Sequence, residues 1–237
     1  MSGGLDDKHG LDEAFDRASR RYDLLTRLNP GYHRHLADAA TELVGRSGEE
    51  GELLDLGCGS GSSTRALLAA GAQRITGVDA SSGMLAHAAA KRWPEDVRFV
   101  HATAQELPAV LERPVDGVLA AYLFRNLTPE DRDLVLAEVA RALRPGGWLV
   151  VQEYSVAGRP VAESVWTAVC WLVVIPLSLV VGGSPRLYRY LWRSARRFDS
   201  TAAFMDRLAA AGFTDVAVRT VPGWQRGILH TFVARRP

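Results

Sequence analysis

From residue 52 onward, the apolar positions of the chain alternate between two kinds of spacing. Short apolar runs predict strands at residues 53–56, 75–78, 97–100, 115–122, 148–153, 213–221 and 229–234. Helical spacing predicts helices at residues 63–70, 84–92, 131–143 and 200–211. Strands that alternate with helices are typical of βαβ units, so the pattern predicts a doubly wound α/β fold with a mostly parallel, seven-stranded sheet.

Two further regions lie outside this alternation. Residues 11–28 and 32–44 predict N-terminal helices, and residues 165–181 are mostly apolar, close to the minimum length of a membrane span. Pro176 lies in the middle of that run and Gly182-Gly183 follows it, which argues against one straight span. A helix buried in the domain is the leading interpretation. A helix at the membrane interface or over the substrate comes second, and a true span third.

Composition and charge narrow the class of protein. The 237 residues are 47% hydrophobic and 23% charged, which excludes general disorder. The formal charge is +1, whereas a protein that coats nucleic acid is expected to be far more basic. Cys58 and Cys170 are too few for a disulfide framework, and no signal peptide is recognisable, so we expect a cytoplasmic protein. The spacing of His, Cys, Asp and Glu predicts no metal site.

A glycine-rich turn after the first strand carries the strongest chemical signal. Residues 55–61 read Asp-Leu-Gly-Cys-Gly-Ser-Gly and open a helix. Glycine allows the backbone to turn sharply and approach a ligand, which the N–H groups of the helix start then face. Dinucleotide sites use the wider G-x-G-x-x-G spacing. An anion beside Asp55 is disfavoured and an amino group or sulfonium is not, so the turn favours an adenosyl ligand that bears an amino acid.

A second acid, Asp79, ends the second strand, 18 residues after Gly61. An acid at this place accepts hydrogen bonds from ribose hydroxyls. The alternative is that Asp79 only caps the helix that begins near Ser81. The turn and this acid together predict a site for S-adenosyl-L-methionine (SAM).

This combination resembles the class I SAM-dependent methyltransferases, whose sheet is Rossmann-like. Residues 103–108 and 143–147 match the same family. The resemblance implies SAM as the cofactor and assigns its contacts to Asp55, Gly57, Cys58, Gly59, Gly61, Asp79, Ala80, Met84, Thr103, Ala104 and Tyr122.

A narrower resemblance rests on residues 125–128, which read Arg-Asn-Leu-Thr. They are similar to the segment found here in the C-methyltransferases of ubiquinone and menaquinone biosynthesis. Nucleic-acid amino methyltransferases usually carry a [DNS]-P-P-[YF] motif after the fourth strand, and residues 120–127 do not contain it. Further matches extend over most of the chain, at Phe15, Tyr22, Asp23, Asn29, Glu153, Tyr154, Ser155, Ile175, Pro176, Tyr188, Tyr190, Leu191, Ser194, Phe198 and His230.

The narrower resemblance implies C-methylation of a prenylated quinol, most simply demethylmenaquinol. A ring carbon becomes nucleophilic when a ring hydroxyl loses its proton, so the site must stabilise a phenolate. The resemblance assigns catalysis to Arg125, Asn126 and Tyr22. Arg125 would lower the pKa of the hydroxyl while a water carries the proton, because arginine stays protonated. The alternatives are a surface ion pair of Arg125 with Asp131 or Asp133, and a core position for Tyr22.

Two other functions stay open at this point. One is methylation of a soluble secondary metabolite at oxygen or carbon, and the other is SAM binding without turnover. His33, His35 and His230 are further candidate bases. The acceptor is a small molecule or a lipid quinol. Nucleic acid is not expected as a partner, and a homodimer and peripheral contact with the inner face of the cell membrane stay open.

The chain is predicted to have four parts. They are an N-terminal helical cap at 1–48, a SAM-binding Rossmann-like core at 49–155, an apolar helical insertion over the acceptor site at 156–199, and a C-terminal helix and antiparallel hairpin at 200–237.

Overall fold

The structure, a computed structural model, describes residues 31–180 and 185–237. The predicted helix at 11–28, Tyr22 and the Gly182-Gly183 pair lie outside the described residues. Among the described residues, seven strands form one sheet: β1 Glu52–Leu56, β2 Arg74–Asp79, β3 Val97–His101, β4 Val115–Ala121, β5 Leu143–Tyr154, β6 Thr214–Thr220 and β7 Leu229–Arg235.

The order of the strands across the sheet is β3-β2-β1-β4-β5-β7-β6. Strands β1 to β5 pair in parallel, and β7 runs antiparallel to both β5 and β6. The predicted doubly wound, mostly parallel sheet and its terminal hairpin are therefore confirmed. The strand order reverses between β1 and β4, and ligands of such folds bind in the crevice at that place.

Helices cover both faces of the sheet. They are α1 Tyr32–Ser47, α2 Ser62–Ala69, α3 Ser82–Ala89, α4 Leu107–Val110, α5 Pro129–Ala142, α6 Pro160–Val169, α7 Ile175–Val180, α8 Pro185–Arg197 and α9 Thr201–Ala210. Neighbouring residues of β1 point to opposite faces: Leu53 belongs to the cluster under α1 and α2, and Leu54 to the cluster under α5 and α9. Both faces of the parallel strands are thus buried, which explains their continuous apolar runs.

Strand β5 begins earlier than the predicted residue 148. Leu143 already pairs with Val115, and the register shifts before Trp148 pairs with Gly117. The Pro-Gly-Gly stretch at 145–147 therefore lies inside the strand as an irregularity, where the sequence predicts the end of a helix. A bulge accommodates residues that fit poorly in a regular strand.

The insertion between β5 and α9 is helical but is not buried on all sides. Residues Pro160–Leu177 form a helix long and apolar enough to cross a membrane, yet only 22% of that stretch is buried. Trp166 and Cys170 face the protein, whereas Leu172 is 76% exposed. The leading interpretation, a helix buried in the domain, is therefore wrong, because one face has no protein to pack against among the described residues.

A π-helical turn at Cys170–Val174 precedes Pro176. The N–H of Ile175 donates to the carbonyl of Cys170, five residues back. Proline has no N–H to give, and its ring crowds the carbonyl four residues before it, so the turn widens at this point. The irregularity expected at Pro176 is present, although the helical path continues.

Candidate active site

A cleft opens at the carboxyl ends of β1, β2 and β4. It is lined by eleven of the predicted site residues: Gly57, Cys58, Gly59, Asp79, Ala80, Met84, Thr103, Ala104, Tyr122, Arg125 and Asn126. Asp55 and Gly61 do not line it. Tyr22 lies outside the described residues.

The glycine turn and Asp79 face each other across one side of this cleft. Gly59 has a φ of +53°, and a Cβ built on it would have no other atom within 4 Å. Its N–H donates to Oδ2 of Asp79 at 2.8 Å, and the N–H of Ser81 donates to Oδ1 at 2.8 Å. The cap of α3 is Ser81, whose hydroxyl accepts from the N–H of Met84. Asp79 is therefore oriented at the turn and does not cap the helix.

Asp55 lies beneath the turn and is fully buried. Its Oδ2 accepts hydrogen bonds from the hydroxyls of Ser63 at 2.8 Å and Thr64 at 2.6 Å. Burial raises the pKa of Asp55 to about 6, against the lowering effect of these two bonds. Because the carboxylate points into the start of α2, it fixes the turn from below. The sequence predicted that Asp55 contacts a positively charged group of the ligand. In the structure, its carboxylate contacts Ser63 and Thr64 and does not line the cleft.

Gly61 serves packing within the protein. Its φ is +88°, and a Cβ there would lie 2.7 Å from the ring of Trp93. No side chain fits in that space without moving the indole, so this glycine lets α2 begin close to Trp93. Thr103 lines the cleft at the other end, where its hydroxyl donates to Glu106 at 2.8 Å within a capping box.

Arg125 occupies the opposite wall of the cleft, in a 3₁₀ turn at Phe124–Asn126. Its Nη1 donates to the hydroxyl of Ser194 at 2.8 Å and to Oδ1 of Asn126 at 3.1 Å. Its Nε lies 3.3 Å from Oε1 of Glu153, and both side chains are buried. The alternative interpretation, in which Arg125 forms a surface ion pair with Asp131 or Asp133, is therefore wrong.

Glu153 is the residue of this wall that sequence reasoning missed as a site residue. Its two oxygens also accept the backbone N–H groups of Arg125 at 3.1 Å and Tyr154 at 2.9 Å. Burial raises the pKa of Glu153 to about 7, although the neighbouring guanidinium of Arg125 opposes that shift. The sequence signal was the match at residues 153–155, which gave the residue no role.

Asn126 is held at both ends of its amide. Nδ2 donates to the carbonyl of Tyr122 at 3.0 Å, while Oδ1 accepts from Arg125 and from the Tyr190 hydroxyl at 3.3 Å. Tyr122 itself has a φ of 60°, the left-handed region that few bulky residues adopt. The turn after β4 is therefore built around these polar contacts, and α8 supplies two of the partners, Ser194 and Tyr190.

Four stacked rings run from the cleft into the protein. The centroids of Tyr32 and Tyr122 are 5.2 Å apart, those of Tyr122 and Tyr154 5.2 Å, and those of Tyr154 and Trp166 4.8 Å. Tyr32 and Tyr122 line the cleft. These rings come from four distant elements, so local spacing could not have predicted the stack.

The histidines proposed as bases lie away from the cleft. His35 and His230 are buried in the core, and burial lowers the pKa of both, for His230 to about 4. His33 is exposed on α1. Burial also raises the pKa of the Cys58 thiol, which therefore stays neutral. In the described part of the chain, no group of three His, Cys, Asp or Glu side chains could hold a metal ion.

Comparison with known proteins places this cleft in a family. The model of a methyltransferase domain matches residues 53–147. The demethylmenaquinone methyltransferase of Mycolicibacterium paratuberculosis is 35% identical over 98% of this chain and 96% of its own. The ubiquinone/menaquinone biosynthesis C-methyltransferase of Methylobacterium nodulans is 33% identical over 92% of this chain and 89% of its own.

Solved structures share the fold at lower identity. Magnesium protoporphyrin IX methyltransferase from Synechocystis, with bound S-adenosylhomocysteine, has a TM-score of 0.69 at 16% identity and covers 98% of this chain and all of its own. The 1,6-didemethyltoxoflavin-N1-methyltransferase of Burkholderia thailandensis has a TM-score of 0.68 at 21% identity, over 99% of this chain and 91% of its own.

The residues present fit SAM as the cofactor. The turn at Gly59 leaves a cradle that a side chain would fill, and Asp79 is held beside it. Together with the full-length similarity, this makes the protein a SAM-dependent methyltransferase, and the chain belongs to the family of the demethylmenaquinone methyltransferases and the ubiquinone/menaquinone biosynthesis C-methyltransferases.

Proposed function

We propose that this enzyme methylates a ring carbon of a prenylated quinol of the demethylmenaquinol type. The single observation that carries the proposal is the buried Arg125–Glu153 pair on the wall opposite the glycine turn. A positive group held in a dry place beside the cleft stabilises a ring oxygen that has lost its proton. The names of the full-length relatives support the same acceptor.

The chain's own residues would hold the cofactor on one side. Asp79 accepts hydrogen bonds from the ribose hydroxyls, and Gly57 and Gly59 let the backbone approach the amino-acid part. Thr103 and Ala104 border the adenine. When bound, SAM supplies an electrophilic methyl group on a sulfonium.

On the other wall, Arg125 stays protonated and lowers the pKa of the ring hydroxyl, while a water takes up the proton. The ring carbon would form its bond to the methyl group as the bond from methyl to sulfur breaks, with that electron pair left on sulfur. The same carbon would then release its hydrogen as a proton to water, which restores the aromatic ring. Asn126 orients that water or the ring oxygen. Glu153 is a positioning residue, because it holds the guanidinium and limits its net charge without lining the cleft. Tyr22 keeps its proposed catalytic role on the resemblance alone.

A lipid acceptor is favoured over a soluble metabolite by the apolar insertion beside the cleft. Tyr190 and Ser194 of α8 contact Asn126 and Arg125, so the insertion borders the acceptor side. We also propose that the chain is divided into four parts at residues 48, 155 and 199. The enzyme is further proposed to be cytoplasmic, next to the membrane, and to form a homodimer.

The acceptor is tested with purified enzyme, SAM and demethylmenaquinol kept reduced. We expect a product that is one methyl group heavier and carries the new methyl on ring carbon, identified by mass spectrometry and proton NMR. Menaquinol, whose ring position is already methylated, is the matched control and should not react. An O-methyl product, or SAM binding without any turnover, would contradict the proposal.

The cofactor wall gives a prediction for Asp79→Ala and Gly59→Val. Loss of charge-assisted bonds costs about 1.5–3 kcal/mol, so Asp79→Ala should weaken SAM binding roughly 10- to 150-fold in calorimetry. Gly59→Val should weaken it as well, because valine disfavours a positive φ and fills the cradle. Gly45→Val, in the last turn of α1 with open space around it, is the control. Unchanged affinity in folded Asp79→Ala protein would remove the ribose assignment.

The acceptor wall gives a prediction for Arg125. Arg125→Ala should lower kcat by about 10²-fold and leave the SAM dissociation constant nearly unchanged, since the residue acts on the acceptor. Arg125→Lys should restore little of the lost activity. The planar guanidinium contacts Ser194, Asn126 and Glu153 at the same time, and the compact ammonium of lysine cannot. Wild-type turnover by a folded Arg125→Ala enzyme would assign the role to another group.

The pKa of Glu153 predicts a pH dependence of stability. Its folded pKa of about 7 lies above the ordinary value of 4.5, so the folded state holds a proton that the unfolded state releases between these values. The associated stability is fully present below pH 4.5 and is lost as the pH rises through 7. Relative to Glu153→Gln, the wild-type free energy of unfolding should therefore fall over that interval in urea titrations. The raised pKa of Asp55 changes the stability of both proteins equally, so it cancels in the comparison. Parallel curves of unfolding free energy against pH for the two proteins would contradict the prediction.

A further inference from the structure

The insertion carries a set of exposed apolar side chains, which we call the apolar face. Its members are between 38% and 77% exposed: Val161, Val165, Trp171, Leu172, Val173 and Leu179. The inner side of the same segment is buried through Trp166, Cys170 and Ile175. Large apolar side chains gathered on one exposed surface mark an interaction site.

Positive charge lies directly beside the apolar face. Residues 160–198 contain five arginines and one acidic residue, Glu163, in a chain whose net charge is only +1. Arg189, Arg193 and Arg197 are exposed and follow each other at intervals of four on α8, which places them on one side of the helix. The rest of the chain is therefore net negative, and this surface is the basic part of the molecule.

Several contacts join α8 to α6 and to the turn that follows it. The Trp192 indole donates to the Thr167 hydroxyl at 3.1 Å, and the Trp171 and Trp192 rings meet edge to face at 5.7 Å. Arg196 forms an ion pair with Glu163 and lies over the Trp192 ring. The apolar face and the arginine row thus belong to one unit.

We propose that this unit docks on the surface of an anionic lipid bilayer. The apolar side chains enter the boundary between head groups and acyl chains, and the arginines contact anionic head groups. Tryptophan is suited to that boundary because its ring is apolar and its N–H is polar. The inner side remains packed on Tyr154 through Trp166, so the segment lies on the membrane and does not cross it.

Docking at this place brings the cleft to the membrane. Helix α8 supplies Ser194 to Arg125 and Tyr190 to Asn126, and the same helix carries the exposed arginine row. A lipid quinol could therefore pass from the bilayer into the acceptor side without crossing water. This benefit rests on the proposed function, whereas the docking itself does not.

Vesicle flotation tests the docking, with vesicles of phosphatidylcholine alone or mixed with phosphatidylglycerol. The full chain should float with the anionic vesicles at low salt, less at high salt, and hardly with phosphatidylcholine alone. Trp171→Gln with Leu172→Gln should weaken binding about tenfold or more, and Arg189→Gln with Arg193→Gln should remove the preference for anionic lipid. The control is Leu134→Gln with Trp224→Gln, which changes exposed apolar residues elsewhere.

Three outcomes would overturn the docking: no binding to anionic vesicles at low salt, equal binding by the Trp171/Leu172 variant in folded form, or dimers in sedimentation that only this variant loses. A short-chain, water-dispersed quinol separates this proposal from the proposed function. Under docking, the Trp171/Leu172 variant methylates that quinol at the wild-type rate and loses activity only on vesicle-bound quinol. If wild-type protein floats with vesicles but methylates neither quinol, the docking stands and the proposed function fails.

Discussion

The buried ion pair of Arg125 with Glu153 is the interaction on which the acceptor wall depends. Removing either charge from water costs several kcal/mol, and a partner with good hydrogen bonds must offset that cost. Glu153 supplies an oxygen 3.3 Å from the guanidinium and also accepts two backbone N–H groups, while Ser194 accepts from Nη1. The pair therefore fixes the ends of β4 and β5 and the helix α8 relative to one another.

On the cofactor wall, two carboxylates hold the glycine turn, one from each side. Asp55 holds the turn from below through the hydroxyls of Ser63 and Thr64, and Asp79 holds it from above through the N–H of Gly59. Positive φ values give the backbone a path that other residues would resist. The cradle is therefore held on both sides by contacts within the protein. Preorganisation of this kind lowers the free-energy cost of ordering the site on binding.

The sequence predicted the sheet well because each strand is a local pattern, and it predicted the residues after β1, β2 and β4 because strand ends meet at one edge. It failed where the decisive contact joins distant parts of the chain. Ser194 is 69 residues from Arg125, and Glu153 is 28 residues away, so spacing could not reveal their shared site. Asp55 was predicted to contact the cofactor, whereas in the structure its carboxylate is bound by the hydroxyls of Ser63 and Thr64 and does not line the cleft. The early start of β5 likewise depends on pairing with Val115.

The insertion shows how a local irregularity creates two distinct sides on a helix that is apolar all round. Residues five apart on a regular α-helix point about 140° away from each other. Cys170 and Ile175 are nevertheless both buried, because the π-helical turn between them brings residues five apart onto the same side. One side of the insertion therefore stays packed across the turn, through Trp166, Cys170 and Ile175, while Leu172 is left 76% exposed.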